Sequence, residues 1–196
     1  MSDSRREFLG KCLLGGGMML GGGAGFSAEE QKRELPQSVM GWCFNGRKVK
    51  PAELAAKCLE FGITGIEGIP AAAYPEVRKM GTEISLVSGG HGFKEGPCNP
   101  KFREKVVTGL RKGVALAKEV GSKRVITFTG MRFEGIDDEK AADDCVSAWK
   151  EVVGDAEKAG ITIVMEHLNS RDDSHPMKGH PGYFGDDVDF CFDLVK

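Results

Sequence analysis

The chain has 196 residues, 40% of them hydrophobic and 29% charged, which is enough apolar material for one sizeable core and argues against disorder. Lys plus Arg number 27 against 29 Asp plus Glu, a net charge of −2. With no basic run and no aromatics interleaved with basic residues, charge gives no support for a nucleic-acid partner.

The amino terminus reads as a targeting segment. Ser4-Arg5-Arg6-Glu7-Phe8-Leu9-Gly10 is a twin-arginine pattern, and Leu13 to Phe26 is weakly apolar and glycine-rich, well short of the roughly 20 residues a membrane span needs. Residues 1–28 are therefore expected to be a Tat-type signal directing export to the periplasm, with 29–38 a linker and the domain over 39–196. A phosphate-cradling loop is not supported at these glycines, because no strand precedes them and no GxxxxGK occurs. Six cysteines include Cys12 in the signal; the remaining odd number, without a CxxC, predicts small core hydrophobes and no disulfide framework. Tat cargo folds before export, so reduced buried thiols fit that route.

From residue 39 one unit recurs: a short β-branched run, a polar or glycine loop, then an amphipathic helix. Val39–Phe44 predicts a strand, followed by a helix that starts at Pro51 and stops at Phe61-Gly62. Strand 65–69 precedes a short helix over 74–80. Strand 83–88 precedes a long helix over 100–120, in which Phe102, Val106, Leu110, Val114 and Ala117 keep the spacing of one buried stripe. Strand 124–129 precedes a helix over 138–159, and strand 161–168 precedes one beginning near Asp186 or Asp187. Phe61-Gly62, Val120-Gly121 and Ala159-Gly160 repeat the same helix stop.

Serial βα units imply a parallel sheet. A doubly wound sheet would usually carry a nucleotide signature after its first strand, and GWCFNGRKVKP has none. A (β/α)8 barrel places its chemistry on the loops after the strands, where Asn45, Glu67, His91, Arg132 and Glu166 fall. The expected fold is an α/β TIM barrel with about the first five βα units present. A whole barrel takes about 250 residues, and the stretch ending at Lys196 carries no helix stop, so the sequence reads as cut short.

ITIVMEHLNS, over 161–170, raises the central question, because an apolar strand runs straight into Glu166, His167 and Asn169. A carboxylate at the carboxyl end of such a strand can bind a divalent cation or move a proton. His167 alternates to the opposite face and is expected to be a hydrogen-bonded structural residue. Asn169 falls on the Glu166 side and is a candidate for orienting a substrate hydroxyl. Ser88-Gly89-Gly90-His91-Gly92-Phe93 places His91 between glycines that let a ligand approach, and Glu67 ends a strand at the same mouth. The loop His175 to Phe184 offers His180 and Tyr183 as a lid; its two histidines, five apart in irregular chain, are not a strong metal spacing.

The VMEHLNS strand, the loop ending HPGYF, the SGGHGF turn and the serial βα pattern together resemble the xylose isomerase-like TIM barrels, in their hydroxypyruvate isomerase and sugar phosphate isomerase/epimerase branch. The resemblance implies a divalent metal of the Mg, Mn or Co class at the barrel mouth, held by side chains from the fifth to eighth strands. It also implies a sugar or hydroxy-carbonyl substrate isomerised by proton transfer through a cis-enediolate. Glu166 alone carries over as metal ligand and acid/base, and His91 is the second candidate catalytic residue. Asn169, Glu67, His180 and Tyr183 are candidates for binding substrate. With one ligand of the set, this chain by itself is expected to be inactive; a homo-oligomer is left open. The competing readings are an endonuclease IV-like phosphodiesterase, against which four histidines and a negative charge weigh, and a degenerate, non-catalytic barrel that binds carbohydrate.

Overall fold

The structure is a computed structural model that describes residues 35–175 and 178–196. The twin-arginine segment 1–28, Cys12 and most of the expected linker lie outside the described residues. In chain order the elements are β1 (Ser38–Met40), α1 (Pro51–Glu60), β2 (Gly65–Glu67), α2 (Tyr74–Lys79), β3 (Glu83–Ile84), β4 (Val87–Ser88) and α3 (Arg103–Val120). They continue with β5 (Arg124–Thr127), α4 (Asp138–Lys158), β6 (Thr162–Met165) and α5 (Val188–Leu194). The strands named here pair in parallel, in the orders β1-β2-β3 and β4-β5-β6, and an isolated antiparallel bridge joins Met131 to Tyr183. The expected strand 83–88 is one stave in two pieces: its first half pairs with β2 and its second with β5, so it joins the two sheets.

Alternation decides which face of the sheet each side chain takes. Ile66, Ile84, Val87 and Val125 point outward and are buried against the helices, where Leu54, Val77, Val106, Leu110, Val114, Ala117, Trp149 and Val152 meet them. The stripe read from α3 is thus the one that packs, with Phe102 half-buried at its start. Burying a side chain of this size is worth about 1.5–3 kcal/mol, so the outward face of the sheet carries most of the stabilisation. On the inward face Ile126 and Val164 are half-buried and Thr162 is exposed, so the apolar run of 161–165 is covered mainly on its outward side.

Helix ends follow the sequence signals. The Asp137 carboxylate accepts from Lys140 N–H at 2.7 Å, and that of Asp187 from Phe190 N–H at 2.8 Å, each satisfying a first-turn donor. Gly62, Gly121 and Gly160 all take left-handed φ between 66° and 76°, the conformation that ends a helix at little steric cost. Strand ends differ from the expected ones: β1 stops at Met40, and Gly41–Arg47 forms 3-10 turns instead of extending to Phe44. A Cβ on Gly41 would run into Ile69, so this close approach turns the chain aside.

The glycines of the SGGHGF turn have a structural cause. Gly109 and Gly113, one turn apart on α3, let the helix lie against the backbone of Gly89, Gly90 and Ser88. A Cβ on Gly113 would sit 2.8 Å from the Ser88 carbonyl oxygen and 2.9 Å from Val125, and one on Gly109 would overlap the Gly89 carbonyl. Among the described cysteines, Cys58, Cys98, Cys145 and Cys191 are buried and unpaired, as the core reading expects, while Cys43 is exposed.

Gly113→Ala should destabilise the fold by about 1–3 kcal/mol through this overpacking. Gly154→Ala, on the exposed side of α4 with nothing within 4 Å of where a Cβ would stand, should stabilise it by about 0.5–1 kcal/mol. Urea unfolding of the two variants checks the contrast, and equal effects would refute the close-approach argument.

Candidate active site

The carboxyl ends of the strands open into a cavity of about 780 Å³. Met40, Trp42, Ile69, Phe93, Phe128, Met131 and Leu168 make its walls largely apolar, and Glu166, His91, His180 and Lys94 supply its charged or titratable groups. Glu166 stands one residue past β6, where its N–H still donates to the Thr127 carbonyl at 3.0 Å. Extended geometry therefore persists to this residue and turns its side chain inward. Burial pushes the Glu166 carboxyl above its ordinary value; His180 opposes the shift and Glu67 adds to it.

His91 is buried and its ring is held from the outer side of the sheet. Its Nε2 lies 3.1 Å from the Thr127 hydroxyl, which also accepts from the Trp149 indole N–H at 3.1 Å. Trp149 can only donate, so the Thr127 hydroxyl accepts from the indole and bridges it to the imidazole. Among the described residues Nδ1 has no partner of good geometry. Burial holds the His91 pKa down; the carbonyls of Gly92 and Glu95 and the Glu95 charge oppose this, and Lys105 reinforces it. The ring is neutral and meets Phe128 edge-on, with centroids 5.8 Å apart.

The loop from Leu168 to Asp187 is stitched to the chain beyond β5. Tyr183 is fully buried: its hydroxyl donates to the Glu166 carbonyl at 2.8 Å and accepts from Thr129 N–H at 3.0 Å. Arg132 donates to the Tyr183 carbonyl at 2.6 Å and pairs with Asp186 at 3.2 Å, while the Thr129 hydroxyl accepts from Gly185 N–H. Asn169 closes its own loop, donating to the Lys178 carbonyl at 2.8 Å and accepting from Arg171 N–H at 2.9 Å. His180 stacks on Phe93 at 4.2 Å between centroids, joining two loops over the cavity.

The candidate residues thus separate. Glu166, His91 and His180 line the cavity, and Glu67 lies beside it with its carboxylate accepting from the Ser85 hydroxyl at 2.9 Å. Tyr183 and Asn169 are spent on the backbone of the loop and do not line it. His167, expected to be hydrogen-bonded, is exposed and has no hydrogen bond among the described residues. Thr127 and Trp149 were missed, although a threonine in the outward register after Val125 was a readable signal for a polar contact behind the sheet. The metal set is incomplete: among the described residues no group of three or more His, Cys, Asp and Glu could hold an ion.

A family model described as a xylose isomerase-like TIM barrel matches residues 55–190. Solved structures with the same fold include a D-tagatose 3-epimerase-like protein, with TM-score 0.56 and 20% identity over 72% of this chain and 54% of that one. The IOLI protein with a binding zinc atom gives 0.56 and 16%, over 73% and 52%. A sugar phosphate isomerase/epimerase from Parabacteroides distasonis ATCC 8503 gives 0.55 and 15%, over 81% and 61%. The chain therefore spans a little over half the length of these structures. No curated protein sequence matches it.

Thr127→Val keeps the side-chain shape but takes away the hydrogen-bond partner of both Trp149 and His91 Nε2, and should cost about 1–3 kcal/mol in urea unfolding; an unchanged midpoint would mean the relay does not form. Glu166 binds its proton more readily folded than unfolded. Its stabilising contribution is therefore fully present below the unfolded carboxylate value and is lost as pH rises through the folded one. Glu166→Gln should melt higher than the parent at pH 7, with the gap closing towards pH 4.

Proposed function

Because the chain belongs to the xylose isomerase-like TIM-barrel family, we propose that it contributes the Glu166 side of a sugar or hydroxy-carbonyl isomerase/epimerase site. The observation that carries this reading is the position of Glu166 at the inward carboxyl end of a parallel strand, in the wall of the cavity that His180 also lines. In such barrels that position is where chemistry is done.

Glu166 would take the proton from the carbon next to the substrate carbonyl and return it on the same face to the neighbouring carbon, the exchange passing through a cis-enediolate; return to the opposite face would need a second acid on that side. A carboxyl with a raised pKa suits both directions, since it gives back the proton it has taken. His91, neutral and rigidly held, presents a ring edge to the substrate. Phe93 and His180 close the cavity above it. Tyr183 and Asn169 act one step back, fixing the Glu166 carbonyl and the loop that carries His180.

The family resemblance makes a divalent metal of the Mg, Mn or Co class part of the proposal, with Glu166 as one ligand. The described donors do not fit such an ion by themselves, so no step is routed through it. Hydroxypyruvate, a small anion, remains one substrate of the proposed class. Export through the Tat pathway to the periplasm is proposed on residues 4–10 and 13–26.

The product of the natural gene, purified and supplied with Mg²⁺, Mn²⁺ or Co²⁺, should catalyse exchange of solvent deuterium into ketoses or hydroxypyruvate at the carbon next to the carbonyl. Glu166→Gln should lower that exchange about 100-fold or more and reduce bound metal. Exchange and metal content both unchanged in the variant would overturn the assignment.

A further inference from the structure

The interior of a barrel of this class is ordinarily filled by bulky branched side chains, yet β1, β2 and the stave beside them turn a chain of polar groups inward. Ser38 Oγ lies 2.6 Å from Ser85 Oγ, and Ser85 donates to Glu67 Oε2 at 2.9 Å. A serine has one hydroxyl hydrogen, so with that of Ser85 given to the carboxylate, Ser38 must be the donor to Ser85. The chain runs one way, from Ser38 towards Glu67.

Two features of the backbone make this arrangement. Gly65 is the register partner of Ser38 on β2, and a Cβ there would come within 2.9 Å of the Ser38 Cβ. Its absence keeps open the space over β2 across which Ser38 reaches Ser85. Ser85 also sits where the third stave passes from one sheet to the other, with its N–H still bonded to the Ile66 carbonyl at 3.1 Å. That bond continues the β3 ladder and aims the side chain at Glu67.

The second carboxylate oxygen of Glu67, Oε1, has no partner among the described residues. Glu67 is half-buried, directly before Gly68 and opposite Met40, both of which line the cavity. A half-buried carboxylate with one oxygen held by Ser85 and the other free can accept a further hydrogen bond. No three-donor metal cluster includes it among the described residues, and a second anion would be repelled. Of the groups a sugar carries, the hydroxyl is the donor that fits.

We infer that Ser38, Ser85 and Glu67 form a hydroxyl-recognition subsite for a polyhydroxylated substrate, in which Ser85 is a positioning residue and Glu67 Oε1 accepts from one hydroxyl of the carbon chain. This rests on the sugar reading above and narrows it: the hydroxyl lies away from the carbon that Glu166 serves, and a three-carbon acid has none to offer there.

The test is calorimetric binding of D-fructose, D-tagatose and their monodeoxy analogues to the natural gene product, its Ser85→Ala and Ser85→Thr variants, and Glu67→Gln. The parent should bind one deoxy analogue about tenfold or more weakly than the intact sugar. Ser85→Ala should shrink that ratio to about twofold while leaving the affinity for that deoxy analogue unchanged, and Ser85→Thr, which keeps the hydroxyl, should restore it. Glu67→Gln should change the same ratio and no other. An undiminished ratio in Ser85→Ala, or an equal weakening of every sugar, would overturn the inference. Failure of the parent to bind either sugar also overturns it, whereas the function proposed above stands or falls on deuterium exchange.

Discussion

Parallel strands leave backbone groups unpaired past their last ladder bond, and in this fold those ends are where the functional side chains lie. The Tyr183 hydroxyl takes up two such groups at once, beyond β5 and beyond β6. Both bonds are made by a fully buried phenol, so losing either would leave a polar group without water or partner, at about 1–3 kcal/mol. Everything above the sheet follows from that pin. Arg132 grips the Tyr183 carbonyl, Asp186 holds Arg132, and the loop so fixed brings His180 against Phe93. Glu166 owes its direction to the strand and its depth to the tyrosine.

The two faces of the sheet do different work. Outward residues carry the packing, and the single polar exception, Thr127, is satisfied on both sides by Trp149 and His91. Inward residues are the ones with open valences: Glu166, Glu67 and, through it, Ser85 and Ser38. A hydrogen-bonded chain passes through the outward face without loosening the core, because every described member except His91 Nδ1 is paired. His91 therefore links helix α4 to the cavity wall, and a change behind the sheet can reach the mouth through two hydrogen bonds.

Much of this was legible in the sequence where one residue type has one physical meaning. Glycines after Phe61, Val120 and Ala159 mark helix stops because only they enter left-handed φ freely, and the α3 stripe is fixed by its period. Glu166 was legible because a carboxylate after an apolar strand has few structural reasons to exist. Strand ends were not, since Gly41 turns the chain under pressure from Ile69, a residue nearly thirty positions later. The glycines around His91 were read as room for a ligand, whereas Gly89 and Gly90 make room for α3; only Gly109 and Gly113, one turn apart on a helix, carried that message. Asn169 and Tyr183 look like site residues in any linear reading, because a sequence does not say whether a polar tip will meet substrate or its own backbone.

The burial of the thiols also bears on chemistry in time. Burial pushes Cys98 up to about 12, with Arg132 opposing and Asp138 and Asp144 adding, and raises Cys145 as well. Only the thiolate attacks a disulfide, and burial keeps both thiols in the protonated form at neutral pH. In an oxidising compartment these two sulfurs would be slow to exchange for as long as the fold is closed. Among the described cysteines Cys43 is the exposed one, and there oxidants and alkylating reagents would first leave a mark.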